Sequence, residues 1–359
     1  MTTATTHPDF GFATDGLTVA AAFPSAIKGR TILITGVNRK GIGYTTAEAF
    51  ASQSPRCLIL AGRSVSKLQE CIDDLKSTYP DIPVDYRTLQ VDLSSQKSVR
   101  AAGAEVMGWV DVPSIDIVIN NAGIMNIPTR TITEDGVEVT MATNHVGHFL
   151  LTNLVMPKIL TAAAAVKSHR GSVRIVNLAS MGINVGGVRF SDMDYQKPVT
   201  ELPEEEKPNI AMMKAFNLPV DETMAYIPTA AYGASKTAAV LFSVGLNDKL
   251  YDKHGILGVA VNPGEIRTEL GRYTDPAMLD TMLDAAKKHG LVWKTQQQGC
   301  STTLVAAVDD KLSVPGDDGN GVFLSDCQFK ATPAYAVKKE FATKLWEVSE
   351  GLTGEKFSW

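Results

Sequence analysis

The sequence predicts an α/β fold, a single doubly wound parallel sheet with helices on both faces and a long insertion in its second half. Three observations lead there. From Arg30 onward, short aliphatic stretches alternate with stretches of helical periodicity. A glycine-rich turn follows the first aliphatic stretch and opens a helical one. No internal repeat or low-complexity tract competes with that pattern. Near-continuous aliphatic strands separated by helices are what a parallel sheet buried on both faces requires.

Six strands are expected in order: Thr31–Thr35, Cys57–Ala61, Thr88–Val91, Ile115–Ile119, Val173–Leu178 and Leu257–Val261. Thr45–Ser52 and Lys67–Thr78 carry helical periodicity between them. Ahead of the domain, taken as residues 28–359, residues 1–27 have few charges and read as a loosely structured N-terminal arm. The alternative is a docking segment, because Phe10, Phe12, Leu17, Val19 and Phe23 could each fill a groove. The stretch Phe190–Ile227 is rich in Pro, Glu, Met and Lys, which marks an insertion over about residues 184–229. A loop that long is a lid, a binding element or disordered. Its run Glu204–Glu206 reads as a solvated face. Its methionines Met212, Met213 and Met224 either line an apolar pocket or pack the insertion against the body.

Composition narrows the class. The chain has 359 residues, 44% hydrophobic and 20% charged, ordinary for a soluble globular enzyme. A net charge of −5 gives no global attraction to nucleic acid or an anionic membrane. The apolar stretches fall short of a membrane span. The four cysteines form no CxxC pair and follow no secretory leader, so reduced thiols and a cytoplasmic location are expected.

The turn Thr35-Gly36-Val37-Asn38-Arg39-Lys40-Gly41-Ile42-Gly43 lies where a dinucleotide fold needs glycine. There the backbone must turn tightly and approach a pyrophosphate at a helix N-terminus. The second strand ends in Ala61-Gly62-Arg63-Ser64, with no carboxylate between Leu58 and Gln69 to hold a ribose 2′-hydroxyl. Arg63, with Lys40 or Arg39 from the turn, instead suits a 2′-phosphate, so NADP(H) is expected over NAD(H).

Three further motifs follow in order: Asn120-Asn121-Ala122-Gly123, Val176-Asn177-Leu178-Ala179-Ser180 and Tyr232-Gly233-Ala234-Ser235-Lys236. With the glycine-rich turn they resemble the short-chain dehydrogenase/reductase family, a single-domain Rossmann fold, over roughly Lys28 to Ala307. Within it, Asn144-His145-Val146-Gly147-His148-Phe149 and the stretch ending at Met125 are most similar to the retinol-dehydrogenase-like and WW-domain-oxidoreductase-like branch, fungal members especially. The resemblance implies that Gly36, Gly41, Ile42 and Gly43 line the pyrophosphate, and that Asp92, followed by Leu93, bonds the adenine. It implies that Asn120 supports the central strand while Asn121, Ala122 and Gly123 border the adenosine side. It gives Pro263, Gly264, Ile266 and Thr268 to the nicotinamide carboxamide. Asn144, Ser180, Tyr232 and Lys236 form its catalytic tetrad, with Asn144 holding a water. Relatives pair into homo-oligomers through helix bundles, a face that the insertion could block here. Two departures stand out. Four residues (Val37 to Lys40) separate the first two glycines where the family commonly has three, and the gap from Ser180 to Tyr232 is long.

Tyr232 and Lys236 are four apart and so share a helix face. A neighbouring ammonium and an oxidised nicotinamide would lower a phenol's pKa and make it an acid or base near neutrality. Ser180 would hold the carbonyl oxygen. His145 and His148 could mimic metal ligands, but no third ligand has suitable spacing, and no metal is expected. The expected activity is carbonyl–alcohol interconversion on a medium-sized lipophilic molecule, walled by the insertion and by Arg272 to Thr295. The alternatives are a cofactor-binding regulator or scaffold, or a biosynthetic reductase coupled to cyclisation or dehydration.

Overall fold

The computed structural model describes residues 5–166, 169–274, 287–288, 290, 292–313 and 321–359. Strands β1 (Thr31–Thr35), β2 (Cys57–Gly62), β4 (Ile117–Asn120), β5 (Val173–Leu178) and β6 (Ile256–Asn262) are almost wholly buried. With β3 (Asp85–Gln90), β9 (Phe323–Ser325) and β10 (Gln328–Phe329) they form one eight-stranded sheet, ordered β10-β9-β6-β5-β4-β1-β2-β3. Only β10 runs antiparallel to its neighbour. A separate pair is made by β7 (Glu265–Ile266) and β8 (Trp293–Lys294).

The strand order reverses between β1 and β4, which leaves a crevice at their carboxyl ends where such sheets bind ligands. Helices cover both faces: α3 (Ile42–Ala51), α4 (Val65–Thr78), α5 (Gln96–Gly108), α6 (Val139–Met141), α7 (Gly147–Leu154), α8 (Met156–Ala165), α9 (Ile210–Ala215), α10 (Pro228–His254), α11 (Gln296–Val308) and α12 (Lys339–Thr353). The sequence of α10 begins with Pro at its first position and ends on Gly255 at φ 72°, the left-handed stop that glycine tolerates. Almost every residue from Thr229 to Asn247 is buried, so α10 is a core helix with no solvent face over that stretch.

The strand expectations hold with shifted ends. β3 starts three residues earlier than the aliphatic pattern implies, because its edge position exposes the polar residues that hide it. β9 and β10 are missed altogether, being too short to show a period.

The expectation of a loose N-terminal arm is corrected. Two short helices, α1 (Gly16–Ala22) and α2 (Pro24–Ile27), form there, and Phe10, Val19, Ala20 and Ile27 are buried in the main core. The arm packs against α3 and α11, where Gly16 passes so close to Cys300 that a Cβ would lie 2.3 Å from its Sγ. The Asp309 carboxylate, at the end of α11, accepts from the Thr6 backbone (2.7 Å) and hydroxyl (2.5 Å). The docking alternative describes this segment.

The insertion has its own small core of Val185, Val199, Met213, Ile227 and Ala230. Met213 is thus packing, while Met224 faces solvent. A buried Arg189–Asp192 pair braces the loop, and Arg189 also donates to the carbonyls of Ala225 (2.8 Å) and Lys197 (2.9 Å). The Glu204–Glu206 run is not wholly a solvated face: Glu206 is buried and accepts from the Ser191 hydroxyl at 2.6 Å. The proposed pocket wall from Arg272 to Thr295 lies largely outside the described residues. Among the described residues no single helix is long and apolar enough to cross a membrane.

Candidate active site

The carboxyl ends of β1 and β4 are laced together. Thr35 Oγ1 accepts from the backbone N–H groups of Asn121 and Ala122 (both 3.0 Å), and Asn121 Nδ2 donates to the Thr35 carbonyl (2.6 Å). Gly36 has φ 73° and stands where a Cβ would come within 2.6 Å of the Ala122 Cα. Gly41 precedes the first turn of α3. A Cβ on Gly43 would lie 2.7 Å from Asn121 Nδ2 and 2.8 Å from the Gly36 carbonyl oxygen. The extra residue of the turn is absorbed by Asn38, whose Oδ1 accepts from the Lys40 N–H at 3.1 Å. A glycine-bordered turn leading into a ten-residue helix suits a pyrophosphate.

Beyond the carboxyl ends of β2 and β3, a cavity of about 390 Å³ is lined by Arg63, Gln90, Asp92, Ser98 and Ala102, among others. Asp92 Oδ1 accepts from the Ser94 N–H and hydroxyl, and Leu93 is buried with its carbonyl against Gly147. Arg63 and Lys40 are exposed. Arg39 is held away by α4: its guanidinium bonds Asp74 at 2.5 and 2.6 Å and Glu70 at 3.3 Å.

The four tetrad positions converge. Tyr232 and Lys236 lie one turn apart on α10, with Lys236 Nζ 5.6 Å from the centre of the Tyr232 ring. Lys236 Nζ donates to the Leu178 carbonyl at 2.8 Å. A Cβ on Gly123 would lie 3.5 Å from that Nζ and 3.3 Å from Asn144 Oδ1, so this glycine packs against both buried side chains. The Ser180 side chain lies close enough to the Tyr232 phenol to pull its pKa down. Gly182 sits over the same ring, where a Cβ would be 3.3 Å from Tyr232 Cε1.

Asn144 lies in a π-helical turn, Ala142–Val146, between α6 and α7. Its Nδ2 donates to the Ile124 carbonyl and to Ser235 Oγ, both at 2.9 Å, and its Oδ1 accepts from the Ile124 N–H at 2.8 Å. Both amide hydrogens are therefore committed, and the expected water contact has only an acceptor left to use. Ser235 completes a bridge by donating to the Tyr232 carbonyl at 2.7 Å. Its place inside the Tyr-to-Lys motif was the signal that sequence reading passed over.

The electrostatics differ from expectation. Burial pushes the Tyr232 phenol above its ordinary value of 10, the Ser180 hydrogen bond offsets part of that, and the Glu265 charge adds to it. Burial also lowers Lys236 to about 8. In the protein alone, desolvation outweighs the neighbouring ammonium. His145 and His148 are buried: His145 Nε2 meets Ser349 Oγ at 2.7 Å, and His148 joins Thr35 Oγ1 (2.8 Å) to the Asn144 carbonyl (3.1 Å).

Just after β6, Gly264 has φ 86° and lies against the Lys294 side chain. Pro263 precedes it and is partly buried. Ile266 reaches Gly299 on α11, and Thr268 Oγ1 accepts from the Leu270 N–H at 3.2 Å. An ion pair at 2.6 Å between the buried Lys294 and the half-exposed Asp326, not anticipated from sequence, underlies this segment.

A family model described as short chain dehydrogenase matches residues 30–192. The oxidoreductase fscI of Fusarium equiseti is 36% identical over 255 residues, covering 71% of this chain and 94% of the relative. The chain belongs to the short-chain dehydrogenase/reductase family. Retinol dehydrogenase 13 of Homo sapiens is 32% identical over 333 residues, covering 92% of this chain and 86% of that protein, which puts this family member in the retinol-dehydrogenase-like branch. Solved structures agree on the fold. An uncharacterised protein from Mycobacterium paratuberculosis superposes with a TM-score of 0.62 at 25% identity, covering 95% and 98% of the two chains. The NADPH-bound carbonyl reductase from chicken fatty liver gives a TM-score of 0.55 at 19% identity, covering 85% and 100%. The protein is an oxidoreductase of this family, whose members use nicotinamide cofactors.

Proposed function

We propose that the protein is an NADP(H)-dependent reductase, or the corresponding dehydrogenase, interconverting a carbonyl and an alcohol on a medium-sized lipophilic substrate. The observation that carries this is the convergence of Tyr232, Ser180 and Lys236 at the carboxyl end of β5. Gly36, Gly41, Ile42 and Gly43 would hold the pyrophosphate, Arg63 and Lys40 the 2′-phosphate, and Gly264 with Ile266 the nicotinamide end. When bound, the reduced nicotinamide supplies a hydride to the carbonyl carbon.

Ser180 orients the carbonyl oxygen by hydrogen bonding and steadies the charge developing on it. Tyr232, kept protonated by burial, gives its proton to that oxygen. Lys236, fixed by the Leu178 carbonyl, supports the phenolate so formed. In the reverse direction Tyr232 accepts the proton from the alcohol. The preference for NADP(H) rests on Arg63, with no carboxylate between Leu58 and Gln69 to oppose it. Four buried, reduced cysteines favour a cytoplasmic location.

The test is a panel of aromatic and long-chain ketones and aldehydes, each offered with NADPH or NADH and followed at the nicotinamide absorbance. Turnover of one or more lipophilic carbonyls, faster with NADPH, is expected. Tight NADPH binding with no turnover across the panel would point instead to a cofactor-binding regulator.

A further inference from the structure

A chain of buried residues runs from the carboxyl end of β1 to Tyr232. Its contacts are Thr35 Oγ1 with His148 Nε2 (2.8 Å) and His148 Nδ1 with the Asn144 carbonyl (3.1 Å). Asn144 Nδ2 then donates to Ser235 Oγ (2.9 Å), which donates to the Tyr232 carbonyl (2.7 Å). Every member is buried, so each depends on its neighbours in the chain rather than on water.

The partners fix where the histidine carries its proton. A hydroxyl has one hydrogen to give and two lone pairs. Both lone pairs of Thr35 Oγ1 are taken by the N–H groups of Asn121 and Ala122, each at 3.0 Å. Its hydrogen therefore points at His148 Nε2, because the competing acceptor, the Ile119 carbonyl, is 3.5 Å away. Nε2 accepts, and Nδ1 holds the proton that the Asn144 carbonyl receives. The opposite tautomer would give Oγ1 a third donor and set the Nδ1 lone pair against a carbonyl oxygen. Burial lowers the His148 pKa to about 4, which keeps the ring neutral near pH 7.

The carbonyl that His148 meets belongs to a widened turn. The Gly147 N–H reaches back five residues to the Ala142 carbonyl, and Asn144 sits inside that π-helical turn. We propose that His148 is a positioning residue: held by Thr35 and donating to the Asn144 carbonyl, it orients the turn that presents Asn144 to Ser235 and so to Tyr232. Its place in the sequence suggests half of a metal pair, and the proposed proton transfer does not otherwise use it. The inference rests on the reductase reading above and adds a residue that serves it through Asn144.

Two variants separate the ends of the ring. An asparagine amide nitrogen stands where Nδ1 does, so His148→Asn keeps the donor to Asn144 and loses Thr35. A glutamine amide reaches the Nε2 position, so His148→Gln keeps an acceptor for Thr35 and leaves the Asn144 carbonyl without its donor. The experiment uses the full chain with NADPH, isotopically labelled on histidine ring nitrogens and tyrosine rings for NMR, alongside steady-state kinetics and melting temperature. The wild-type His148 ring should show a protonated Nδ1 and a bare Nε2. For the best carbonyl substrate, kcat should fall at least about tenfold in His148→Gln with KM little changed, and stay within about threefold in His148→Asn. The Tyr232 ring signal should move in His148→Gln and hold its place in His148→Asn. A protonated Nε2 in the wild type overturns the inference, whether or not a variant folds. So do equal effects of the two variants on kcat and on the Tyr232 signal, or losses that track melting temperature alone. If the wild type reduces no carbonyl but the Tyr232 signal still separates the variants, the reductase reading fails and this inference stands. If the wild type reduces carbonyls and His148→Gln matches its kcat, the reductase reading stands and this inference fails.

Discussion

The Lys236 ammonium donates to the Leu178 carbonyl at 2.8 Å, tying the middle of α10 to the carboxyl end of β5. Ser180 follows two residues after Leu178, and Tyr232 precedes Lys236 by one helical turn. One hydrogen bond thus sets the distance between the hydroxyl and the phenol that share the substrate oxygen in the proposed mechanism.

That bond is made by a buried cation, which gives stability a pH signature. Lys236 titrates near 10.5 when unfolded and at about 8 when folded. Between those values the unfolded chain holds more protons, so stability rises with pH from about 8, and the burial penalty is fully present below it. Tyr232 is shifted upward from 10, so above about pH 10 the unfolded phenol ionises first and stability falls again. Chemical denaturation of the wild type and Lys236→Met at pH 7 and pH 9.5 should show the difference between them changing by about 2 kcal/mol, with the wild type gaining. A pH-independent difference would refute the assignment.

Cofactor selectivity should separate two neighbouring arginines. Arg63 is exposed at the cavity beyond β2 and β3, whereas Arg39 is engaged by Asp74 and Glu70. Arg63→Ala should weaken NADPH binding by about tenfold or more while leaving NADH nearly unchanged, as loss of a charge-assisted bond implies. Arg39→Ala should alter the NADPH-to-NADH ratio by less than about threefold. Fluorescence titration of both cofactors reads this directly, and the opposite ranking would reassign the phosphate site.

Gly43 tests the cradle. A methyl group there must displace the Gly36 carbonyl or Asn121, both part of the lacing between β1 and β4. Gly43→Ala should cost about 1–3 kcal/mol of stability as an overpacked site and weaken either cofactor by more than tenfold. Unchanged binding would mean that the turn does not approach the cofactor.

Much of this architecture is legible in the sequence. β1, β2, β5 and β6 are aliphatic runs buried on both faces, and the Tyr232 motif announces itself by its order among the others. Other features depend on contacts between distant segments. The arm's helices are too short to show a period and are held by α11, some 280 residues away at the Leu17–Gln297 bond. Arg39 looks like a phosphate ligand until α4 brings Asp74 beside it. The Tyr232 phenol looks acidified by Lys236 until burial is counted.

The most direct measurement is the reduction of the best carbonyl substrate by Tyr232→Phe, with NADPH affinity measured on the same protein. Removing only the hydroxyl should lower kcat by about 10²–10⁴-fold, with NADPH binding and melting temperature close to wild type. Turnover within a few-fold of wild type would contradict the proposal that Tyr232 moves the proton.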